Sequence, residues 1–301
     1  MTADVFISLR QRLPSLRKTE KRIATFVLDN PGVVAGCTIT ELASLCETSQ
    51  ASVARFCQAV GYSGYKEFRL ALVSASSREE AAREHFRVAD ADIDPEDSAF
   101  DVVNKVAYQE VRAVEETARG LDLEALDAIV AAISAASRID IIGAGSSGLT
   151  GQDLHQKLHR FGLTTYFWVD AHLALTSVAL SSPTSVAIGI SHSGLTVETY
   201  QALEIARAAG ATTVAITNFP DSPLAELADH VLTTSARETP LRSGATASRI
   251  AQMALVDFLV VRLLQSQLDR AATSLRRTYE AVQPHRLSVN HHPSTSTDPA
   301  P

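Results

Sequence analysis

The chain has 301 residues, of which 46% are hydrophobic and 20% charged, and a net charge of −7; this is the balance of an ordinary globular protein, long enough for two domains. No apolar run approaches the roughly 18 residues that span a bilayer, and Met1-Thr2-Ala3-Asp4-Val5 lacks the basic and apolar segments of a secretory signal, so no membrane-spanning helix and a cytosolic location are expected. The charge is uneven: residues 1–75 hold nine Lys and Arg against six Asp and Glu, while residues 76–301 hold 18 against 28, which suits local contact with DNA through one basic module and not broad wrapping of nucleic acid.

Residues 1–75 read as all helix. Ile23, Phe26 and Val27 have the spacing of a buried helical face, and Asn30-Pro31-Gly32 stops that helix. Thr38-x-x-Glu41 is a capping box that opens the next one. Glu47-Thr48-Ser49 forms a short turn, and Ser49 is a good N-cap for a helix whose buried stripe is Val53, Phe56, Cys57 and Val60. Gly61-Tyr62-Ser63-Gly64 ends it, and a further helix covers Tyr65 to Ala75. The three cysteines, Cys37, Cys46 and Cys57, form no CxxC pair and are expected to be reduced core residues.

Residues 76–97 carry eight acids and three bases and read as a solvated acidic linker. Two amphipathic helices follow, at 98–119 and 122–136. From Arg138 short apolar or β-branched runs alternate with helix-length segments: 139–142, 165–169, 186–190, 213–217 and 230–233. That alternation predicts a doubly wound parallel sheet. A long apolar helix over 246–268 closes this domain, either as a core helix or as an interface element. The domain limits are thus 1–75, 76–97 for the linker, and 98–283. The tail at 284–301, rich in Pro, Ser, Thr and His, shows no periodicity and is expected to be disordered.

Two short helices joined by a tight turn form a helix-turn-helix, whose second helix enters the major groove with its N-terminal residues at the base edges. With Val53, Phe56, Cys57 and Val60 turned inward, the DNA-facing residues are Ser49, Gln50, Ser52, Arg55 and Gln58, and Lys66 and Arg69 are placed to meet phosphates. Gln can pair with adenine and Arg with guanine. In the second half, Gly143-Ala144-Gly145-Ser146-Ser147-Gly148 and Ser191-His192-Ser193-Gly194-Leu195-Thr196 follow predicted strands. Each presents backbone N–H groups and hydroxyls at the start of a helix, as a phosphate requires. Both lie at the carboxyl ends of parallel strands, where such sheets bind ligands. The first turn also fits G-x-G-x-x-G, and Asp170 stands at the end of the next strand as in a dinucleotide fold; the second serine-rich turn argues against that reading.

The string Thr38-Ile39-x-Glu41-Leu42-Ala43, Ser49-x-x-Ser52-Val53-x-Arg55-Phe56-Cys57 and Gly61-Tyr62-x-Gly64-Tyr65-x-Glu67-Phe68-Arg69 resembles the N-terminal domain of the RpiR family of bacterial regulators. Thr19-Glu20-x-x-Ile23-Ala24 and Asn30-Pro31 agree with it. Thr48 departs from the pattern, where a small apolar residue is usual, but threonine can still half-bury its methyl. The element Ser191-x-Ser193-Gly194-x-Thr196, with Ser222-Pro223-Leu224-Ala225 and Ser248-Arg249, resembles the SIS (sugar isomerase) domain. The resemblance implies an α/β chain in which an all-α helix-turn-helix domain precedes a doubly wound, flavodoxin-like SIS domain. It implies a transcriptional regulator of carbohydrate metabolism that binds a duplex DNA operator, answers to a phosphosugar effector and assembles as a homodimer or homotetramer. Phosphate recognition then falls to Ser146, Ser147, Ser191, Ser193 and Thr196, and the sugar end to Glu198, Glu238 or Arg242. No catalytic residue, metal or cofactor is expected. The competing reading is an aldose–ketose isomerase fused to a helix-turn-helix, with Glu198, Glu238 or His192 as the base.

Overall fold

Asp4 caps the first helix, α1 (Val5–Arg12), by accepting the Phe6 N–H at 3.0 Å, and its second carboxylate oxygen receives Arg78 at 2.6 Å. Arg78 lies on α6 (Tyr65–Phe86), so the two ends of the helical half are tied together. Between them lie α2 (Lys18–Asp29), α3 (Pro31–Gly36), α4 (Ile39–Leu45) and α5 (Gln50–Ala59). The computed structural model describes residues 4–89, 92–237 and 247–285; the expected disordered tail lies outside them from residue 286 on. α2 ends at Asp29 as its Asn30-Pro31 signal predicts, and Pro31 then serves as the first residue of α3. Leu9, Ile23, Val27, Leu42, Val53, Phe56, Phe68 and Leu72 form one solvent-free core. Phe56 meets Phe68 edge to face at 5.4 Å; burying a side chain of that size stabilises the fold by about 1.5–3 kcal/mol. Cys37, Cys46 and Cys57 are all free and buried.

The expected solvated linker is a correction: its residues 76–86 continue α6 without a break. Three of the charges there, Arg78, Glu79 and Arg83, are paired, while Glu80 and Glu84 are exposed. Arg83 bonds Glu79 one turn earlier at 3.4 Å, and Glu79 also accepts from the Tyr108 hydroxyl and pairs with Arg112 at 3.1 Å. Those partners stand on α7 (Ala99–Gly120), and Phe86 and Val88 pack against the Tyr108 ring. The helix ends at Arg87, whose φ of 55° is left-handed.

α8 (Leu123–Ala135) leads into five strands, β1 (Arg138–Gly143), β2 (Thr165–Trp168), β3 (Ser185–Ile190), β4 (Thr212–Thr217) and β5 (His230–Thr233). They pair in parallel in the order β2-β1-β3-β4-β5. The order reverses between β1 and β3, the crevice where ligands bind in such sheets. The linking helices are α9 (Gly145–Arg160), α10 (Ala171–Val178), α11 (Val197–Ala208) and α12 (Pro223–Leu227), and α13 (Ala247–Ser266) and α14 (Leu268–Val282) close the chain. Ile139, Ile141, Ile188, Val214 and Ile216 face α8, α9 and α13 on one side; Ala187, Ala215 and Ile142 face α10, α11 and α12 on the other. α13 is a core helix through Leu255, Leu259 and Leu263, while Val261 is exposed.

The halves meet along α1. Val5, Phe6 and Leu9 point into the helical core, and Ile7, 2% exposed, lies against Gly120 at the end of α7. Gln11 Nε2 donates to the Thr234 carbonyl at 3.1 Å, just past β5, and Ser15 Oγ donates to Asp221 Oδ2 at 2.8 Å, past β4. Arg10 sits 3.7 Å from Glu116, which is held at 2.6 Å by Arg112. Burial pushes the Glu116 carboxyl above its usual range, against the pull of Arg10 and Arg112.

Candidate functional site

The carboxyl ends of β1 and β3 open on two helix N-termini. α9 begins at Gly145, whose φ of 56° is left-handed, after Ala144, and has no side-chain cap. α11 begins after Thr196, again without a side-chain cap. By contrast α7, α8, α10 and α12 are capped by Ser98, Asp122, Asp170 and Ser222. The first N–H groups of a helix have no carbonyl within it. At α9 and α11 they are left for another acceptor, and the helix dipoles favour an anion there.

Ser191 is buried; its Oγ accepts the Gly194 N–H at 3.1 Å and lies 2.8 Å from Thr196 Oγ1. Ser193 is half-buried and its Oγ accepts the Leu195 N–H at 3.2 Å. Gly194 has a φ of 66°, and its carbonyl accepts the Leu224 N–H at 3.2 Å. The loop is held from β4 as well: the His192 carbonyl accepts from Asn218 N at 3.0 Å and from Thr217 Oγ1 at 3.2 Å. The His192 ring is half-buried, edge-on to Phe219 at 5.8 Å. Across the cleft, Ser146 is half-buried and Ser147 is buried, its Oγ accepting from Gln252 Nε2 at 3.2 Å. A side chain at Gly143 would press to 2.9 Å on the Ser147 carbonyl, so this glycine is what lets α9 start close to β1.

The structure places Ser146 and Ser147 in the first turn of α9, and Ser191, Ser193 and Thr196 in the turn that leads from β3 into α11, on either side of the switch point. Glu198 stands exposed in the first turn of α11. Glu238 and Arg242 lie outside the described residues. Asp170 accepts the Leu173 N–H at 2.8 Å as the cap of α10. Three contributors were missed: Gln252, whose signal is a lone amide in an apolar helical stripe, and Gln11 and Ser15, which carry no local signal at all. Among the described residues no group of His, Cys, Asp and Glu is arranged to hold a metal, and no helix is long and apolar enough to cross a membrane.

In the helical half α4 and α5 form the helix-turn-helix. Thr38 accepts the Glu41 N–H at 3.3 Å, and Glu41 accepts the Thr38 N–H at 2.7 Å and hydroxyl at 2.8 Å, which lowers the Glu41 pKa. The turn passes through Glu47 at a left-handed φ of 47°, with its carbonyl held by Arg22 at 2.8 Å. Thr48 is half-buried and its N–H donates to the Ala43 carbonyl at 2.8 Å. Ser49 caps α5 by accepting the Ser52 N–H at 3.2 Å. Gln50, Arg55, Gln58 and Lys66 are exposed and Ser52 half-buried. Gln50 Nε2 donates to Thr40 Oγ1 at 3.0 Å, and Arg55 donates to Ser52 Oγ at 3.0 Å. Arg69 donates to the Cys37 carbonyl at 3.3 Å. Arg17, Thr19 and Glu20 share a surface cleft with Ser52 and Arg55, so Arg17, the residue just before α2, adds a base beside the expected reading face.

Two family models match the chain: a helix-turn-helix domain of the rpiR family over residues 4–79 and a SIS domain over residues 132–262. An uncharacterized HTH-type transcriptional regulator, TTE0211 of Caldanaerobacter subterraneus subsp. tengcongensis, is 34% identical over 95% of this chain and 99% of its own. Another from Haemophilus influenzae is 34% identical over 91% of this chain and 94% of its own. Among solved structures, the Vibrio vulnificus NanR protein complexed with ManNAc-6P aligns with a TM-score of 0.60 at 31% identity, covering 94% of this chain and all of that one.

Proposed function

Because the chain belongs to the RpiR family of HTH-type transcriptional regulators with a SIS domain, we propose that a phosphosugar held between the α9 and α11 N-termini controls its grip on an operator in the cytosol. One observation carries this reading. In the sheet domain α9 and α11, which flank the switch point, are uncapped, and both bring serines to the same cleft. Ser146, Ser147, Ser191, Ser193 and Thr196 hold the phosphate, mainly through neutral donors and helix dipoles. NanR, solved with ManNAc-6P, supports the ligand class. Ser49, Gln50, Ser52, Arg55 and Gln58 face the DNA, with Lys66 on phosphate. A homodimer would place two recognition helices roughly 34–36 Å apart, or a multiple of that, on a two-fold site.

The contacts of α1 and of the turn after it supply a route between the two functions. Ser15 and Gln11 touch the loops after β4 and β5, and the first of these loops packs directly on Gly194. A ligand that shifts the Ser191–Thr196 turn in one conformer thereby biases where the helical half sits, which is the differential contact that coupling requires.

The test is a thermal-shift screen of phosphosugars beside their dephosphorylated sugars, followed by DNA binding with and without each hit. A true effector stabilises by RT ln(1 + [L]/Kd), about 2.7 kcal/mol at a hundredfold excess over Kd, and changes DNA affinity without being consumed. Isomer formation during the assay would replace the regulator reading with the isomerase one.

A further inference from the structure

Gln252 lies on the buried face of α13, next to Ala251 and one turn before Leu255 and Val256, and is 1% exposed. Its amide spans two hydroxyls on the first turns of α9. Nε2 donates to Ser147 Oγ at 3.2 Å, and Oε1 accepts from Thr150 Oγ1 at 3.2 Å. Thr150 is fully buried and Ser147 is 6% exposed. Among the described residues Gln252 is the one hydrogen-bond partner of each of these hydroxyls.

A serine hydroxyl has one proton to give and two lone pairs to receive. When Gln252 fills a lone pair of Ser147, the Ser147 proton is left to point elsewhere. In the structure the carboxamide oxygen takes the Thr150 hydroxyl and the NH2 end faces Ser147. Ser147 is the third residue of α9, on a helix start with no side-chain cap. We propose that Gln252 is a positioning residue for the anion site, one that turns Ser147 into a donor toward a phosphate oxygen at the α9 N-terminus. This rests on the phosphate reading of the cleft and adds a residue that touches no ligand itself.

The test uses inorganic phosphate as probe and the full chain, with binding read by 31P line broadening and melting temperature read separately. Ser147→Ala weakens phosphate about tenfold, as expected for one bond to a charged oxygen. Gln252→Leu and Thr150→Val each weaken it about threefold or more, because the donor is no longer aimed. The deciding variant is Gln252→Leu on a Ser147→Ala background, which shows no further loss, since nothing remains to be aimed. Gln252→Met replaces Gln252→Leu if the latter does not fold. Independent, multiplying losses would mean that Gln252 only clamps α13 to α9, and the inference falls. It falls equally if Gln252→Leu binds phosphate like the parent while Ser147→Ala does not, with the cleft reading intact. If the parent binds no phosphate and Ser147→Ala changes nothing, the cleft reading falls and takes this inference with it.

Discussion

A methyl group on Gly194 would lie 2.1 Å from Ser222 Oγ and 2.4 Å from Ser222 Cβ. The turn after β3 and the cap of α12 are therefore built against each other, with no room for a side chain between them. The φ of 66° at Gly194 adds a second demand that other residues meet only under strain. Gly194→Ala should destabilise the protein by about 1–3 kcal/mol, the usual cost of overpacking, and should remove effector binding. Denaturant titration and ligand-induced melting shifts check both parts; an alanine variant with unaltered stability would contradict the packing seen here.

Arg55→Ala should weaken sequence-specific DNA binding by about 1–3 kcal/mol if Arg55 pairs with guanine. Arg55 is exposed, and its guanidinium rests on Ser52 Oγ, so the melting temperature should not move. A gel shift on the operator, beside a thermal melt, separates these outcomes. Retained operator affinity would remove Arg55 from the reading face.

Ser193→Ala should weaken the stabilising phosphosugar by roughly tenfold or more, since a hydrogen bond to a charged group is worth about 1.5–3 kcal/mol. The same variant should keep its DNA affinity in the absence of ligand. Calorimetry with the phosphosugar and its free sugar checks the assignment. Equal binding of the two by the parent protein would show that no phosphate is being recognised.

The double variant Gln11→Ala, Ser15→Ala removes three hydrogen bonds from the helical half to the loops after β4 and β5. Effector affinity should change little, while the effector-induced change in DNA affinity should shrink at least about threefold, within the range of ordinary coupling energies. Anisotropy titrations of labelled DNA, with and without effector, give the ratio directly. An undiminished response would mean that coupling runs through another contact.

Burial pushes the Cys57 thiol from its ordinary value of 9.0 up to about 12. In the unfolded chain it ionises near its usual value, so above that pH the unfolded state holds fewer protons than the folded one. By linkage, the thiol's contribution to stability is intact below about pH 8.5 and is lost as pH rises from there toward 12, by up to about 1.4 kcal/mol per pH unit. Urea midpoints for the parent and for Cys57→Ala between pH 7.5 and 10 should converge as pH rises. A thiol reagent at pH 8 should leave Cys57 unmodified until denaturant is added.

Much of this architecture is written in local residue patterns. Thr38, Glu41 and Ser49 mark the helix starts of the helix-turn-helix because their side chains satisfy backbone N–H groups within three residues. The five strands are legible because buried parallel strands are short runs of β-branched and apolar residues. The glycine- and serine-rich turns identify the cleft because closeness of backbone to an anion demands small residues. Three things were settled only by packing. Residues 76–86 look like a solvated linker by composition, yet Glu79 finds Tyr108 and Arg112 on another helix and the run stays helical. Gln252 meets Ser147 across 105 positions of sequence, and Gln11 meets Thr234 across 223. Such pairs leave no trace in spacing or periodicity, because a hydrogen bond between distant segments depends on where the sheet and its covering helices bring them and not on what stands beside either residue in the chain.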